Sequence, residues 1–191
     1  MAVGVVAIDK LKLDEAFQSG INTPFNDCWC IRMDSQLMLV DDDALKYSRF
    51  SDNAEEEQKA FLIINAHNKE IVLLAIDNKL LTQHVGGIAD CAIFDEELFK
   101  FVEFKTNAYG NSEESVRDTF DKAISQLKET YNVFEDRLSN VNIDFSDAVV
   151  VTCHIVVSHS FPKSKAVKQE YQLAFTDETG LELSFSEKIS W

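Results

Sequence analysis

The sequence GGIADCAIFDEELFKFVEFKTN, residues 86–107, contains the strongest folding signal in the chain. Two largely apolar runs, 88–94 and 99–106, flank the acidic break 95–98. Apolar runs of this length separated by about four residues are typical of a β-hairpin. The stretch therefore predicts two antiparallel strands joined by a short acidic turn.

The expected register of this hairpin brings three charged side chains to one face. With four residues in the turn, Asp90 lies opposite Glu103. Because strand side chains alternate between two faces, Lys105 shares the face of these two acids. The other face is apolar apart from one lysine near the turn, and it carries Cys91, Ile93, Lys100, Val102 and Phe104. Charged groups on an otherwise buried strand are costly unless they pair or bind a metal.

Asp90, Glu103 and Lys105 have the chemistry of a small metal site. Two adjacent carboxylates repel each other, and a divalent cation relieves that repulsion. Mg²⁺ is usually held by one or two carboxylates together with waters and phosphate oxygens. A lysine on the same strand can position a water molecule or neutralise charge on a phosphate. The alternative interpretation is a structural ion pair between Lys105 and one of the acids on a half-exposed sheet face.

The pattern Asp-x12-Glu-x-Lys on a hairpin resembles the PD-(D/E)xK superfamily, the restriction-endonuclease-like nucleases. Asp90, Glu103 and Lys105 match its motif, and Ala89 stands where the family name has proline. The resemblance implies a metal-dependent nuclease that hydrolyses phosphodiester bonds in DNA or RNA. It implies that Asp90 and Glu103 hold Mg²⁺ or Mn²⁺ and that Lys105 completes the catalytic set.

The order of apolar patterns around the hairpin supports the same resemblance. It predicts a helix over 53–67, strands over 71–77, 88–94 and 99–106, a helix over 112–138 and a strand over 148–157. This α-β-β-β-α-β order resembles the restriction-endonuclease-like core. We therefore expect an α/β (α+β) fold with a mixed sheet flanked by helices. A single domain over 1–191 would contain the nuclease-like core at about 53–157, with N-terminal and C-terminal additions.

The helix over 112–138 has the clearest periodicity in the chain, and Ser112 is expected to cap it. Apolar residues recur at spacings of three and four, at Val116, Phe120, Ile124, Leu127, Tyr131, Phe134 and Leu138. One branch of the superfamily, the RecB-like exonucleases, carries Gln-x3-Tyr on this helix. Here Gln126 and Tyr131 are five apart, so the pattern is broken. Gln126 remains a candidate for substrate contact.

The predicted helix over 53–67 supplies a candidate third acid. In the superfamily an acid from the first core helix often completes the metal site, and Glu57 is the best match because it shares a helical face with Phe61. The alternative is a solvated charge at the start of a helix, where the dipole favours glutamate. A rival pattern makes 61–65 a strand paired with 71–76, and so short an apolar run does not distinguish the two.

The N-terminal third carries weaker patterns. It predicts a helix over 3–19 and a hairpin formed by 28–33 and 36–40. The strongly acidic segment 41–57 is interpreted as solvated surface. No catalytic chemistry is assigned to this part of the chain.

The C-terminal part is expected to end in a hairpin formed by 171–176 and 181–186. The segment 159–169 before it contains a proline and is predicted to be a loop. This loop is the one dense basic segment and is a candidate for binding nucleic acid. Its lysines are Lys163, Lys165 and Lys168.

The charge balance argues against a nuclease that binds nucleic acid unaided. The 191 residues include 18 basic and 33 acidic side chains, a net charge of −15. Such a field repels DNA and RNA, whose binding usually depends on Lys and Arg contacts with phosphates. The alternative function is therefore a non-catalytic acidic interaction subunit on a nuclease-like fold within a protein complex. In an intermediate case, a protein partner supplies the nucleic-acid-binding surface of a nuclease. The sequence is also compatible with a homo-oligomer.

Composition also restricts the compartment. The longest apolar runs fall well short of the ~20 residues of a membrane helix. The first ten residues, MAVGVVAIDK, lack the basic start of a signal peptide. We therefore expect a cytoplasmic protein without membrane contact. The four cysteines fit that compartment as reduced thiols. Cys28 and Cys30 also lack the Cys-x2-Cys spacing of a zinc site.

Overall fold

The computed structural model describes residues 5–81, 87–106, 112–157 and 165–191. The strands are β1 (Trp29–Arg32), β2 (Gln36–Asp42), β3 (Tyr47–Ser51), β4 (Phe61–Ile64), β5 (Ile71–Ala75), β6 (Cys91–Phe94), β7 (Leu98–Lys105), β8 (Val150–Val157), β9 (Glu182–Ser184) and β10 (Lys188–Ser190). The α-helices are α1 (Val6–Leu11), α2 (Leu13–Ala16), α3 (Glu113–Asn140), α4 (Phe145–Ala148) and α5 (Lys165–Thr179). Two 3₁₀ helices span Phe25–Asp27 and Ala54–Lys59.

The larger sheet has six strands in the order β1-β5-β6-β7-β8-β9. Its first four strands are antiparallel neighbours, and β8 and β9 add in parallel. The central hairpin confirms the predicted register, because Phe94 pairs with Phe99 and Ala92 with Phe101. Asp95 fixes its turn by accepting hydrogen bonds at Oδ1 from the backbone N–H groups of Glu97 and Leu98, at 2.8 and 2.9 Å.

The smaller sheet has four strands in the order β10-β4-β2-β3 and covers one face of the larger sheet. This interface contains the four apolar residues predicted for that side of the hairpin, Cys91, Ile93, Val102 and Phe104. Helices cover the other face, where Phe101 packs against Phe134 of α3 with ring centroids 5.0 Å apart. The fold is therefore mixed α+β, with two mixed sheets and flanking helices. Burial on both faces explains the continuous apolar runs of β5 and β6.

Helix α3 confirms the predicted helix over 112–138. The Ser112 hydroxyl caps it by accepting a hydrogen bond from the Ser115 amide at 3.2 Å. The predicted apolar stripe is buried at Val116, Phe120, Leu127, Phe134 and Leu138, while Ile124 and Tyr131 are partly buried. Across the described ranges, no helix combines the length and the apolar character that crossing a bilayer requires.

The predicted helix over 53–67 is wrong. Asn53 does cap a helical turn by accepting a hydrogen bond from the Glu55 amide at 3.1 Å, but this turn is the 3₁₀ helix Ala54–Lys59. The apolar run that follows is strand β4. The rival strand pattern is right about the element and wrong about its partner, because β4 pairs with β2 and β10 and not with β5. Both true partners lie far away in sequence.

The predicted hairpin of 28–33 and 36–40 is also wrong. Strand β1 pairs with β5 in the larger sheet, whereas β2 pairs with β3 and β4 in the smaller one. The chain passes from one sheet to the other between them. The helix expected over 3–19 is shorter and divided, because Lys12 separates α1 from α2 with a left-handed backbone (φ 48°).

The C-terminal hairpin prediction is wrong as well. Residues 171–176 belong to α5, which buries Val167 and Phe175 and sets Tyr171 edge-on to Phe120 at 5.4 Å. These residues of α5 are four apart, a helical spacing. Strand β9 lies within 181–186 but pairs in parallel with β8. The predicted loop over 159–169 is helical from Lys165 onward, and its earlier residues as far as 164 lie outside the described residues.

Candidate functional site

Asp90 lies where the chain enters β6. Its backbone carbonyl accepts hydrogen bonds from two consecutive amides, those of Ile76 at 3.0 Å and Asp77 at 3.2 Å, an arrangement typical of a β-bulge. Its side chain replaces a ladder contact, because Oδ2 accepts a hydrogen bond from the Phe104 amide at 2.6 Å. The carboxyl group of Asp90 is therefore held directly against β7.

Glu103 and Lys105 project from β7 toward helix α3. The Lys105 amine donates hydrogen bonds to Oε1 of Glu103 and, at 2.8 Å, to Oε1 of Gln126. The Glu103 side chain is 1% exposed. Its second oxygen, Oε2, is buried and has no hydrogen bond of ordinary geometry within the described part of the chain, although the Asp90 amide lies close enough to the carboxyl to lower its pKa. The structure thus brings together Asp90, Glu103, Lys105 and Gln126, all of which the sequence had singled out.

Helix α3 also holds the segment that leads into Asp90. Gln126 donates a hydrogen bond from Nε2 to the Ile88 carbonyl at 3.0 Å. The Thr130 hydroxyl accepts one from the Ala89 amide at 2.7 Å and donates one to the Gln126 carbonyl at 2.7 Å. Gly87 completes this close approach, since its φ is +86° and a Cβ there would lie 2.9 Å from Cγ of Gln126. The three residues before Asp90, Gly87 to Ala89, are therefore closely packed against α3.

Replacing Thr130 with valine tests this support. Valine has nearly the same shape but leaves the buried Ala89 amide without an acceptor, so we expect a loss of about 1–3 kcal/mol in the free energy of unfolding. The control is Thr119→Val, because among the described residues the Thr119 hydroxyl bonds only the Ser115 carbonyl of its own helix, at 2.9 Å. Urea unfolding measures both variants. Equal losses would show that the Ala89 contact contributes nothing particular.

Electrostatics at the site favour a bound proton or cation. Burial raises the pKa of Asp90 well above its ordinary value, and the charges of Glu103 and Asp41 raise it further. Burial raises the pKa of Glu103 to about 7, against the opposing effect of the Lys105 charge. Two neighbouring carboxyls that resist ionisation together are stabilised by any cation that joins them.

Asp41 is an acid whose charge acts on this site and which the sequence analysis missed. It lies at the end of β2, where Leu37 and Leu39 face the larger sheet, so the alternation of the strand turns Asp41 the same way. Burial and the charges of Asp43 and Asp77 raise the pKa of Asp41. In turn, the Asp41 charge raises the pKa values of the two carboxyls on the hairpin. The smaller sheet thus contributes an acid to a site built on the larger one.

The remaining predicted site residues are placed differently from expectation. Glu57 is exposed on the 3₁₀ helix Ala54–Lys59, so the helical face it was expected to share with Phe61 does not exist. Lys165 and Lys168 lie in the first turns of α5, and Lys163 lies outside the described residues. Gln126 is in the site, but both ends of its amide are engaged with Lys105 and Ile88. Its observed role is to position neighbouring groups.

The donor set suits a cation that takes few ligands from the protein. Among the described residues, no three His, Cys, Asp or Glu side chains are grouped closely enough to hold a metal ion. Asp90 and Glu103 offer two carboxylates, the number that Mg²⁺ commonly takes from a protein. Within the described residues, Oε2 of Glu103 has no hydrogen bond of ordinary geometry, so it is an acceptor that such an ion would satisfy. The residues present therefore fit Mg²⁺ or Mn²⁺ and do not resemble a closed structural zinc site.

Comparison of the chain with models of protein families, with curated proteins and with solved structures gave no match. The resemblance to the PD-(D/E)xK superfamily therefore stays a prediction from the residues of the hairpin and the order of the elements. Function has to be inferred from the chemistry of the side chains around Glu103.

Proposed function

We propose that the chain is a metal-dependent nuclease, a hydrolase of phosphodiester bonds in DNA or RNA. Glu103 carries the proposal. Its carboxyl is 1% exposed, one oxygen is bound to Lys105, and the other has no hydrogen bond of ordinary geometry among the described residues. A buried acceptor left unsatisfied is costly, and so is a second carboxyl beside it. A divalent cation between Asp90 and Glu103 would offset both costs.

The arrangement of the larger sheet supports the proposal. Strands β5, β6 and β7 form an antiparallel meander, α3 crosses over, and β8 returns parallel to β7. This order resembles the β-β-β-α-β part of the restriction-endonuclease-like core. The helix that should precede it is not at 53–67. Helices α1 and α2 instead share the hydrophobic core beside α3. Phe17, which follows α2, packs there against Phe134 with ring centroids 4.8 Å apart.

Each residue of the proposed site would have a separate role. Asp90 and Glu103 would hold Mg²⁺ or Mn²⁺, which as a Lewis acid polarises a phosphoryl oxygen and lowers the pKa of water. Lys105 would place a positive charge where the phosphate gains negative charge, and its charge lowers the pKa of Glu103 against the effect of burial. Gln126 holds the Lys105 amine from the other side, at 2.8 Å. Thr130 fixes the segment before Asp90, and Phe104 points away from the site into the interface between the sheets.

A second function is favoured by a separate observation, the net charge of −15. On this alternative the chain is a non-catalytic acidic interaction subunit that acts within a protein complex. The same charge is compatible with a nuclease whose protein partner brings the nucleic acid. Metal binding and cleavage distinguish these possibilities.

Metal-linked stabilisation tests the proposed site. We expect Mg²⁺ or Mn²⁺ to raise the free energy of unfolding by about 2.7 kcal/mol at a free metal concentration of 100 times Kd. Asp90→Asn and Glu103→Gln should each remove this effect, because each removes a ligand charge. Without metal, both variants should be at least as stable as the parent, because a repulsion is lost. Thermal and urea unfolding with Mg²⁺ or with EDTA measure the difference.

Asp118→Asn is the matched control, since Asp118 is exposed on α3. It should leave the metal response unchanged. Cleavage is then assayed on single-stranded DNA, double-stranded DNA and RNA, with and without cell extract. A metal response that persists in both site variants would refute the site. Metal binding without cleavage of any substrate would favour the interaction subunit.

A further inference from the structure

Strand β1 is an edge of the larger sheet, because among the described strands only β5 pairs with it. Its residues, Trp29, Cys30, Ile31 and Arg32, are all exposed or partly exposed, whereas every residue of the neighbouring strand β5 is buried. An unpaired edge presents a row of backbone N–H and C=O groups to which another strand can bind. The larger sheet can therefore be extended at β1.

The ladder between β1 and β5 determines which backbone groups of this edge point outward. The Ala75 amide donates a hydrogen bond to the Cys28 carbonyl at 2.8 Å, and β1 continues in the same register. Hydrogen-bonded and non-hydrogen-bonded pairs alternate along antiparallel strands. Cys30 therefore directs its N–H and C=O groups toward β5, whereas those of Trp29 and Ile31 point away from it. Within the described ranges, no other backbone group binds these outward groups.

Strand β1 lacks the features that usually prevent edge pairing, which are lysine, proline and bulges. Its sequence, WCIR, has no proline, and its pairing with β5 is regular. The single charge, on Arg32, is offset by Asp34 at 3.4 Å and by Asp52 at 2.9 Å. Met33, which directly follows the strand, is 52% exposed. An unprotected edge beside an exposed apolar side chain favours a partner strand that is itself apolar.

This edge is complementary to itself. In an antiparallel pair of two β1 strands centred on Ile31, Ile31 lies opposite its own copy and Trp29 lies opposite Met33. Their backbone groups point outward, so about six hydrogen bonds can form. Trp29 and Ile31 pack on the helix-covered face, and Met33 shares that face by alternation, so a sulfur–aromatic contact forms at each end. Arg32 lies opposite Cys30, so no like charges meet directly.

We propose that two copies of this chain associate through β1, paired antiparallel about Ile31, so that their larger sheets form one continuous sheet. The two-fold axis of such a pair is perpendicular to the sheet, so both copies of α3 lie on the same side of it. The net charge of −15 on each copy opposes association, and the contact is only one strand wide. The dimer is therefore weak, and salt strengthens it by screening the repulsion. Neither metal binding nor cleavage is needed for this association.

Analytical ultracentrifugation of the full chain over a wide range of concentrations tests the association. We expect a reversible monomer–dimer equilibrium whose dissociation constant falls as NaCl is raised. Ile31→Pro removes both hydrogen bonds of the central pair and leaves the ladder to β5 intact, so it should weaken the dimer about tenfold or more. Ile31→Val is the matched control, because it keeps the outward amide. A monomer at every concentration and salt, or equal dimerisation of the two variants, would overturn the proposal.

Disulfide formation tests the pairing even if Ile31→Pro does not fold. Arg32→Cys places a thiol opposite Cys30 of the second copy, in a non-hydrogen-bonded pair with Cα atoms about 4.5 Å apart. A disulfide accepts that separation. Cys30 is exposed, and the other three cysteines of the parent chain are buried. Under mild oxidation we therefore expect Arg32→Cys to form covalent dimers.

Two controls make the disulfide test specific for this pairing. The parent chain should form no covalent dimer, because its Cys30 faces Arg32 and not a second thiol. The double variant Arg32→Cys, Cys30→Ser should form none either, because it lacks the opposing thiol. Covalent dimers of the parent would place Cys30 at the axis and refute the pairing about Ile31. Equal cross-linking of the double variant, or none in Arg32→Cys, would refute it as well.

Discussion

Replacing Lys105 with methionine is expected to lower metal-dependent cleavage by about 10²–10⁴-fold, the usual contribution of a positioned catalytic group. Methionine keeps most of the length of the side chain and removes its charge. Two effects combine at neutral pH. The positive charge at the phosphate is lost, and Glu103 is lost as a ligand because Lys105 is what lowers its pKa toward 7. The variant should remain folded, since Glu103 can take up a proton instead of staying as an unpaired buried charge.

The pH dependence separates these two effects. Above the raised pKa of Glu103 its carboxylate is ionised again, so metal-linked stabilisation of the Lys105→Met variant should return near pH 9. Cleavage should not return with it. Lys128→Met is the control, because Lys128 lies on the same helix as Gln126 but pairs with Glu178 away from the site. Full recovery of cleavage at pH 9 would mean that Lys105 acts only through the ionisation of Glu103.

Acidification is expected to destabilise the protein through His154, by about 4–5 kcal/mol between pH 6.5 and pH 3. Burial lowers the pKa of His154 to about 3, and the charges of Lys100 and Lys168 act in the same direction. The neutral ring is held by Ser184 Oγ at 2.6 Å from Nδ1 and lies 4.3 Å from the Phe61 ring. The unfolded chain binds a proton at about pH 6.5. The contribution of His154 to stability is therefore complete above pH 6.5 and is lost as the pH falls toward 3.

The contribution of Glu103 to stability changes with pH in the opposite direction to that of His154, so the two contributions must be separated by mutation. Its raised folded pKa means that the native state binds the extra proton between about pH 4.5 and 7, which stabilises the protein on the acid side of that range. His154→Gln removes the histidine titration alone. Urea unfolding at several pH values should show that this variant loses less stability than the parent as the pH falls. His67→Gln, at an exposed position, is the control and should follow the parent.

The hairpin and its register were predictable because all the information is local. A four-residue turn fixes the pairing, and the alternation of β7 then determines that Glu103 faces one side and Phe104 the other. Helix α3 was predictable for a similar reason, since its apolar stripe and its Ser112 cap lie within one continuous segment. These elements position Asp90, Glu103, Lys105 and Gln126.

The second sheet was not predictable in the same way. Strand β4 is a short apolar run whose identity depends on β2 and β10, and no local pattern names such distant partners. Asp41 was missed as a consequence, because it belongs to an acidic segment that was interpreted as solvated surface. The spacing of Leu37, Leu39 and Asp41 is the one signal that identifies its inward face.

The smaller sheet pairs a strand from the C-terminal end of the chain with one from its N-terminal half, which affects the order of folding. The pairing of Lys188 with Leu62 in the smaller sheet forms a contact of very long sequence separation, and such contacts form slowly. The hairpin and α3 can associate earlier, since their contacts are closer in sequence. The acid from β2 reaches Asp90 and Glu103 only when the smaller sheet docks. The charge of Asp41, which raises the pKa values of Asp90 and Glu103, therefore acts on the site only in the last stage of folding.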